Sequence, residues 1–192
     1  MQFQFNKYPR LEGLHAPFSP SKSSWLRYDD EKAADVYMNL KAAEKGTVLH
    51  AWAKQTIDLG IKQPRSQKTL YAYVNDAIGF KMQTEVILYY SPRFFGTADS
   101  ICFRKGPEGR YKLRIHDLKT GVTPVKMEQL LIYAALFCLE YKFKPSDIDM
   151  ELRIYQNDEV LYYEPTAEDI VPIMDHIVHV DKMLEKIDNE EV

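Results

Sequence analysis

The chain has 192 residues, 45% hydrophobic and 28% charged, with a formal net charge of −3. That composition fits a single globular domain with a sizeable core and excludes bulk disorder, and no stretch reaches the roughly 18 uncharged apolar residues of a membrane helix. The net charge argues against a nucleic-acid binder, but its distribution does not: residues 41–126 hold 15 Lys/Arg against 7 Asp/Glu, and the remainder hold 10 against 21, so a basic middle precedes an acidic end.

Residues 1–18, with Pro9 and Pro17, read as an extended arm. The start MQFQFNKYPRLEG lacks the basic segment and apolar core of a signal peptide, and a cytoplasmic protein with reduced cysteines is the expectation. Ser19 as a cap and Pro20 in the first turn open one or two helices that reach Gly46. GTVLHAWAKQTIDLG is a clearer helix: Thr47 caps it, Gly60 ends it, and Leu49, Trp52, Ala53 and Ile57 recur at helical spacing. KTLYAYVNDAIGF repeats that spacing with Leu70, Val74, Ala77 and Ile78. TEVILYY then begins a β-branched and aromatic run, a strand over about 83–90. FGTADSICF and YKLRIHDLK are two more strands, joined by a turn through Gly106, Pro107 and Gly109. TPVKMEQLLIYAALFCLEYK returns to helix, with Leu130, Ala134, Cys138 and Tyr141 on one stripe. IDMELRIYQNDEVLYYEP is a hairpin turning at Asn157 and Asp158. The last segment, from Thr166 as cap, is an amphipathic helix with Pro172 inside it. The order predicts an α/β fold around a central mixed sheet flanked by helices. Cys102 and Cys138 both fall in apolar runs and read as reduced core thiols, too few to hold a structural zinc or an iron–sulfur cluster.

Two acids are out of place in this pattern. Asp99 interrupts one strand, and Asp117 with Lys119 ends the next. Residues two apart on a strand share a face, about 6–7 Å apart. If the two strands form a hairpin, Asp99 and Asp117 converge, and their repulsion favours a hard divalent cation between them. A lysine beside such an ion can hold an attacking water or neutralise a phosphate. The ordinary reading of one D-x-K is a surface ion pair worth about 0–1 kcal/mol. His50 on an apolar helical face is ordinarily a core residue, Glu85 an edge residue, and Gln129 with Tyr133, four apart, a surface pair.

Together, GTVLH with His50, Glu85, GTAD with Asp99, DLK with Asp117 and Lys119, and QLLIY with Gln129 and Tyr133 resemble the RecB-like branch of the PD-(D/E)XK nuclease superfamily. The resemblance covers roughly residues 46–156, and FSPSKSSWLRY is similar to the N-terminal segment of such enzymes. It implies a restriction-endonuclease-like αβββαβ core within one nuclease domain. Residues 1–45 would form an N-terminal arm and helices, 46–156 the catalytic core, and 157–192 a hairpin strand and C-terminal helix. It also implies that His50, Asp99 and Asp117, with the Leu118 carbonyl, ligate one or two Mg²⁺ or Mn²⁺ ions. Lys119 would orient or activate water, Glu85 would bind metal or substrate through water, and Gln129 and Tyr133 would position the DNA strand or the lysine. TAD stands where many members have PD, as RecB-like members commonly allow, and the four cysteines of iron–sulfur members are absent. No helicase P-loop is present, so a helicase or recombination partner would be a separate chain. The implied activity is a DNA exonuclease of recombination or repair. The short stand-alone form is similar to phage enzymes working in the host cytoplasm, some of which are ring-forming oligomers. Lys54, Arg93 and Lys126 are the expected contacts of a basic DNA channel, with the acidic tail away from it. The competing expectation is a nucleic-acid-binding or partner-regulating module that keeps the fold without catalysis.

Overall fold

The computed structural model describes residues 9–11, 16–106, 109–123 and 125–190. The arm expected over residues 1–8 and 12–15 and the turn residue Pro107 lie outside the described residues. The chain divides into two compact units, Met1–Lys45 and Gly46–Val192.

In the first unit, Pro9–Leu11 form a 3-10 turn rather than extended chain. A longer 3-10 helix, Pro20–Arg27, has Ser19 at its cap and Pro20 in its first turn, as predicted. The Ser19 side chain makes no capping hydrogen bond; its carbonyl instead accepts from the Trp25 indole at 3.1 Å. Helix α1, Asp30–Asp58, begins where Asp29 Oδ1 accepts the Lys32 amide at 2.8 Å. It runs unbroken through Gly46 and Thr47, so Thr47 is not a cap. Glycine ordinarily costs about 1 kcal/mol in a helix interior. Here a Cβ on Gly46 would stand 2.7 Å from Thr120 Oγ1, so its bareness permits a close approach. Gly60, at φ +68°, ends the helix as expected, with the Ile61 amide returning to the Thr56 carbonyl at 3.0 Å.

The second unit is built on a five-stranded mixed sheet in the order β1-β2-β3-β4-β5. The strands are β1 Gln83–Ser91, β2 Phe94–Lys105, β3 Tyr111–Leu118, β4 Ile148–Gln156 and β5 Glu159–Tyr163. All neighbours are antiparallel except β3 and β4. That parallel pair is joined by a crossover carrying helix α3, Glu128–Tyr141. Asn157 and Asp158, both at positive φ, make the two-residue turn that the sequence marks between β4 and β5.

Helices cover both faces. Ala53 and Ile57 of α1, with helix α2, Thr69–Gly79, pack Tyr73, Val74 and Ala77 onto Cys102, Leu118 and Tyr155. On the other face α3 and helix α4, Ala167–Glu190, bury Leu130, Ala134, Cys138, Ile170 and Ile177 against Leu113, Ile115, Leu152 and Ile154. Thr166 opens α4, its amide donating to Asp169 Oδ2 at 2.8 Å. Both cysteines are free and buried, as expected. Among the described residues no helix is long and apolar enough to cross a membrane.

Candidate active site

The pleat of β2 changes phase at Asp99. Ala98 and Ile101 are three apart, yet both enter the core under α3, where strict alternation would send them to opposite faces. Opposite this point, the β1–β2 pairing skips from Thr84↔Ser100 to Val86↔Ala98, leaving Glu85 and Asp99 outside the ladder. Glu85 takes a φ of +49°, a conformation that costs a side-chain-bearing residue on the order of 1 kcal/mol or more. The irregularity frees the Asp99 carboxylate to reach β3, where Oδ2 accepts the Leu118 amide at 2.9 Å. The same oxygen lies 3.4 Å from His50 Nδ1 on α1.

Asp117 continues the inward row of Leu113 and Ile115, and is only 2% exposed. Burial raises its carboxyl pKa to about 6, and the Asp99 charge adds to the rise, against the opposing pull of Lys119 and His50. Lys119 Nζ donates to Asp117 Oδ1 at 3.1 Å. It also lies 3.0 Å from Oδ2, but out of line for a hydrogen bond, so that buried oxygen has no hydrogen-bond partner.

Lys119 is positioned from both ends. Its backbone amide donates to the Tyr155 carbonyl of β4 at 2.9 Å, and its ammonium donates to Gln129 Oε1 on α3 at 2.8 Å. Gln129 Nε2 reaches the Tyr133 hydroxyl at 3.4 Å, and that hydroxyl donates to the Thr97 carbonyl at 2.7 Å. Helix spacing puts Gln129 and Tyr133 one turn apart on the face toward β2 and β3. The ring fits because residue 96 is glycine: a Cβ there would stand 2.8 Å from Tyr133 Cε1. Thr97, Gly96 and the Tyr155 carbonyl belong to this arrangement but act through backbone, which the sequence does not mark.

The expected channel residues are placed differently. Lys54 is on the rim, donating to Asp58 at 2.7 Å and Thr84 at 3.3 Å, with Glu85 4.0 Å away. Lys126 is 85% exposed and 4.0 Å from Glu128. Arg93 is held by the acidic C-terminal helix, 3.0 Å from Asp181 and 2.6 Å from Asp188. The tail therefore meets Arg93 rather than lying away from it, and this guanidinium is committed within the protein.

As placed, no three His, Cys, Asp or Glu side chains among the described residues stand close enough to hold a metal ion. The donor set nevertheless fits a hard divalent cation. Two carboxylates repel one another, and a buried oxygen of one has no hydrogen bond. Compared with protein-family models, curated proteins and solved structures, the chain finds no match.

Proposed function

We propose that this chain is a metal-dependent nuclease that hydrolyses DNA phosphodiester bonds, on the restriction-endonuclease-like core of the RecB-like PD-(D/E)XK enzymes. The observation that carries this reading is the buried Asp117 carboxylate, with one oxygen unbonded, set between a second acid and a lysine that Gln129 holds in place. The strand order and the α3 crossover support the same reading.

Asp99 and Asp117, with His50 and the Leu118 carbonyl, would hold Mg²⁺ or Mn²⁺, whose charge would polarise the scissile phosphate. The ammonium of Lys119 has three donors. Asp117 and Gln129 each take one, and the third orients the attacking water or offsets charge building on the phosphate. The hydrogen bonds from Gln129 through Tyr133 to Thr97 fix the lysine before substrate arrives, so little reorganisation is left for the chemical step. Glu85 stands across the strand pair from Asp99 and would bind metal or substrate through water.

The test uses labelled linear, nicked and circular DNA with Mg²⁺, Mn²⁺ or EDTA. Wild type should cleave only with metal, and Asp99→Ala and Asp117→Ala should not cleave. His50→Ala should lose part of the rate or shift metal preference, because water can replace one ligand. Degradation of linear DNA alone marks an exonuclease, and opening of circles marks an endonuclease. Absence of cleavage in wild type with every metal and DNA form overturns the proposal.

A further inference from the structure

A second concentration of charge lies on the α2 face of the sheet, near the opposite ends of β2 and β3. Lys81, Arg104, Lys105, Arg110, Lys112 and Arg114 line a groove of about 390 Å³ over Phe80, with Asp149 the one acid among the described lining residues. Arg104 and Lys112 are direct cross-strand partners, an arrangement that destabilises a sheet unless something compensates the repulsion.

The floor and the rim differ. Buried Glu151 fixes Lys112 at 3.1 Å and Arg114 at 3.2 Å, and Arg114 also stacks on Phe80 at 4.4 Å. Arg110 is tied to Asp149 at 3.0 Å. On the rim, Arg104 donates to the Lys81 carbonyl at 2.9 Å. Among the described residues no carboxylate pairs with Lys81, Arg104 or Lys105. Cations held in place below, Lys112 also by Glu164 at 2.9 Å, and cations above with no carboxylate partner among the described residues make an anion site.

We propose that this groove binds consecutive phosphates of a nucleic-acid strand, as an anchor separate from the cleavage site. Lys112 and Arg114, two apart on one strand face, are spaced by about 6–7 Å, comparable to neighbouring phosphates on an extended strand. Along β3 the groove lies three to five residues from Asp117, about 10–17 Å at strand rise, and on the opposite face of the sheet. The choice of nucleic acid as the anion rests on the nuclease reading; the arrangement of cations does not.

The test is binding of the full chain to a fluorescent single-stranded 20-mer and to its duplex, in EDTA so that no cleavage intervenes. Lys81→Gln/Arg104→Gln/Lys105→Gln should weaken affinity roughly tenfold or more and flatten the dependence of log affinity on log salt by about 2 units. Lys144→Gln/Lys182→Gln/Lys186→Gln, an equal loss of exposed charge elsewhere, should change affinity less than about twofold by the same counting. Equal losses in the two variants, no binding by wild type at low salt, or competition by poly-glutamate as strong as by unlabelled oligonucleotide would each overturn the groove. If wild type cleaves DNA while the groove variant binds normally, the groove fails and the nuclease reading stands. If the groove variant loses binding but wild type cleaves nothing with any metal, the nuclease reading fails and the groove stands.

Discussion

Lys119 and Gln129 meet across the β3–α3 connection, with the ammonium donating to the amide oxygen at 2.8 Å. The contact separates chemistry from binding. Lys119→Ala should keep DNA affinity in Ca²⁺, yet lose roughly 10²–10³-fold in single-turnover cleavage with Mg²⁺, as when a positioned charge donor is removed. Arginine should rescue poorly, because a planar fork does not replace a compact ammonium. Gln129→Ala should fall between wild type and Lys119→Ala in rate. If chain and fold serve only as a binding module, Lys119→Ala shows a modest affinity loss and wild type shows no cleavage to lose.

Asp117 is held at a cost in the metal-free protein. Its folded pKa of about 6 lies above the unfolded value near 3.8, so the folded state binds the proton more tightly. Stability from this group therefore falls as pH rises from about 4 through 6 and stays low above. Asp117→Asn removes the ionised form and keeps an acceptor for Lys119. In chelator-treated protein it should be more stable than wild type at pH 7.5, by about 1–3 kcal/mol, with the gain shrinking towards pH 4. Added Mg²⁺ should stabilise wild type and leave the variant unmoved. Urea unfolding at the two pH values checks this, and a variant less stable at pH 7.5 contradicts it.

Much of this arrangement is legible in the sequence where the signal is local. The β-branched run of β1, the flanks of Asp99 and the Asn157–Asp158 turn each carry their own chemistry, and each element forms where it is expected. Gly46–Thr47 misleads because a glycine followed by threonine reads as a break and a cap, while its real use is the approach of Thr120, 74 positions from Gly46 in the numbering. The phase change at Glu85 and Asp99 has no local signature, since neither residue favours positive φ or a bulge as glycine would. The capture of Arg93 by Asp181 and Asp188 spans most of the domain. The ion cluster under α2 was nearer to hand: Lys112, Arg114 and His116 alternate on β3, and Glu151 and Arg153 alternate on β4. Charges of complementary sign on adjacent parallel strands already suggest a buried ladder.

Gly96 and Tyr133 should be energetically coupled. A methyl group at residue 96 would stand 2.8 Å from the Tyr133 ring, pushing the hydroxyl off Thr97 and loosening Gln129. Gly96→Ala should cost about 1–3 kcal/mol, as overpacking does, and slow cleavage through Lys119. Tyr133→Ala removes the obstruction, so the double variant should be more stable than the sum of the two single losses predicts, by about 1 kcal/mol. Strict additivity in a four-member denaturation cycle refutes the coupling.

Glu151 is the keystone of the other face. Its carboxylate is 5% exposed and holds Lys112 at 3.1 Å, Arg114 at 3.2 Å and Arg153 at 2.8 Å, with His116 3.8 Å away. The Arg153 contact is close but off-line, so Oε1 lacks a hydrogen bond. Burial alone would push this carboxyl up, but His116, Lys112 and the charges of Arg153 and Arg114 outweigh it and hold it well below the usual range. Because the folded pKa is depressed, the stabilisation is full above the unfolded pKa near 4.5 and is lost as pH falls through the folded value. His116 acts in the same direction: burial lowers its pKa, so the unfolded chain takes up a proton first as pH drops below about 6.5. Glu151→Gln leaves three cations facing a neutral amide and should cost about 3–5 kcal/mol at pH 7.5, the usual penalty for breaking a buried pair. At pH 3 the gap between wild type and variant should narrow, because the unfolded wild-type chain has taken up the proton that the folded state still excludes. A gap that is constant across this range would mean that Glu151 acts through shape rather than charge.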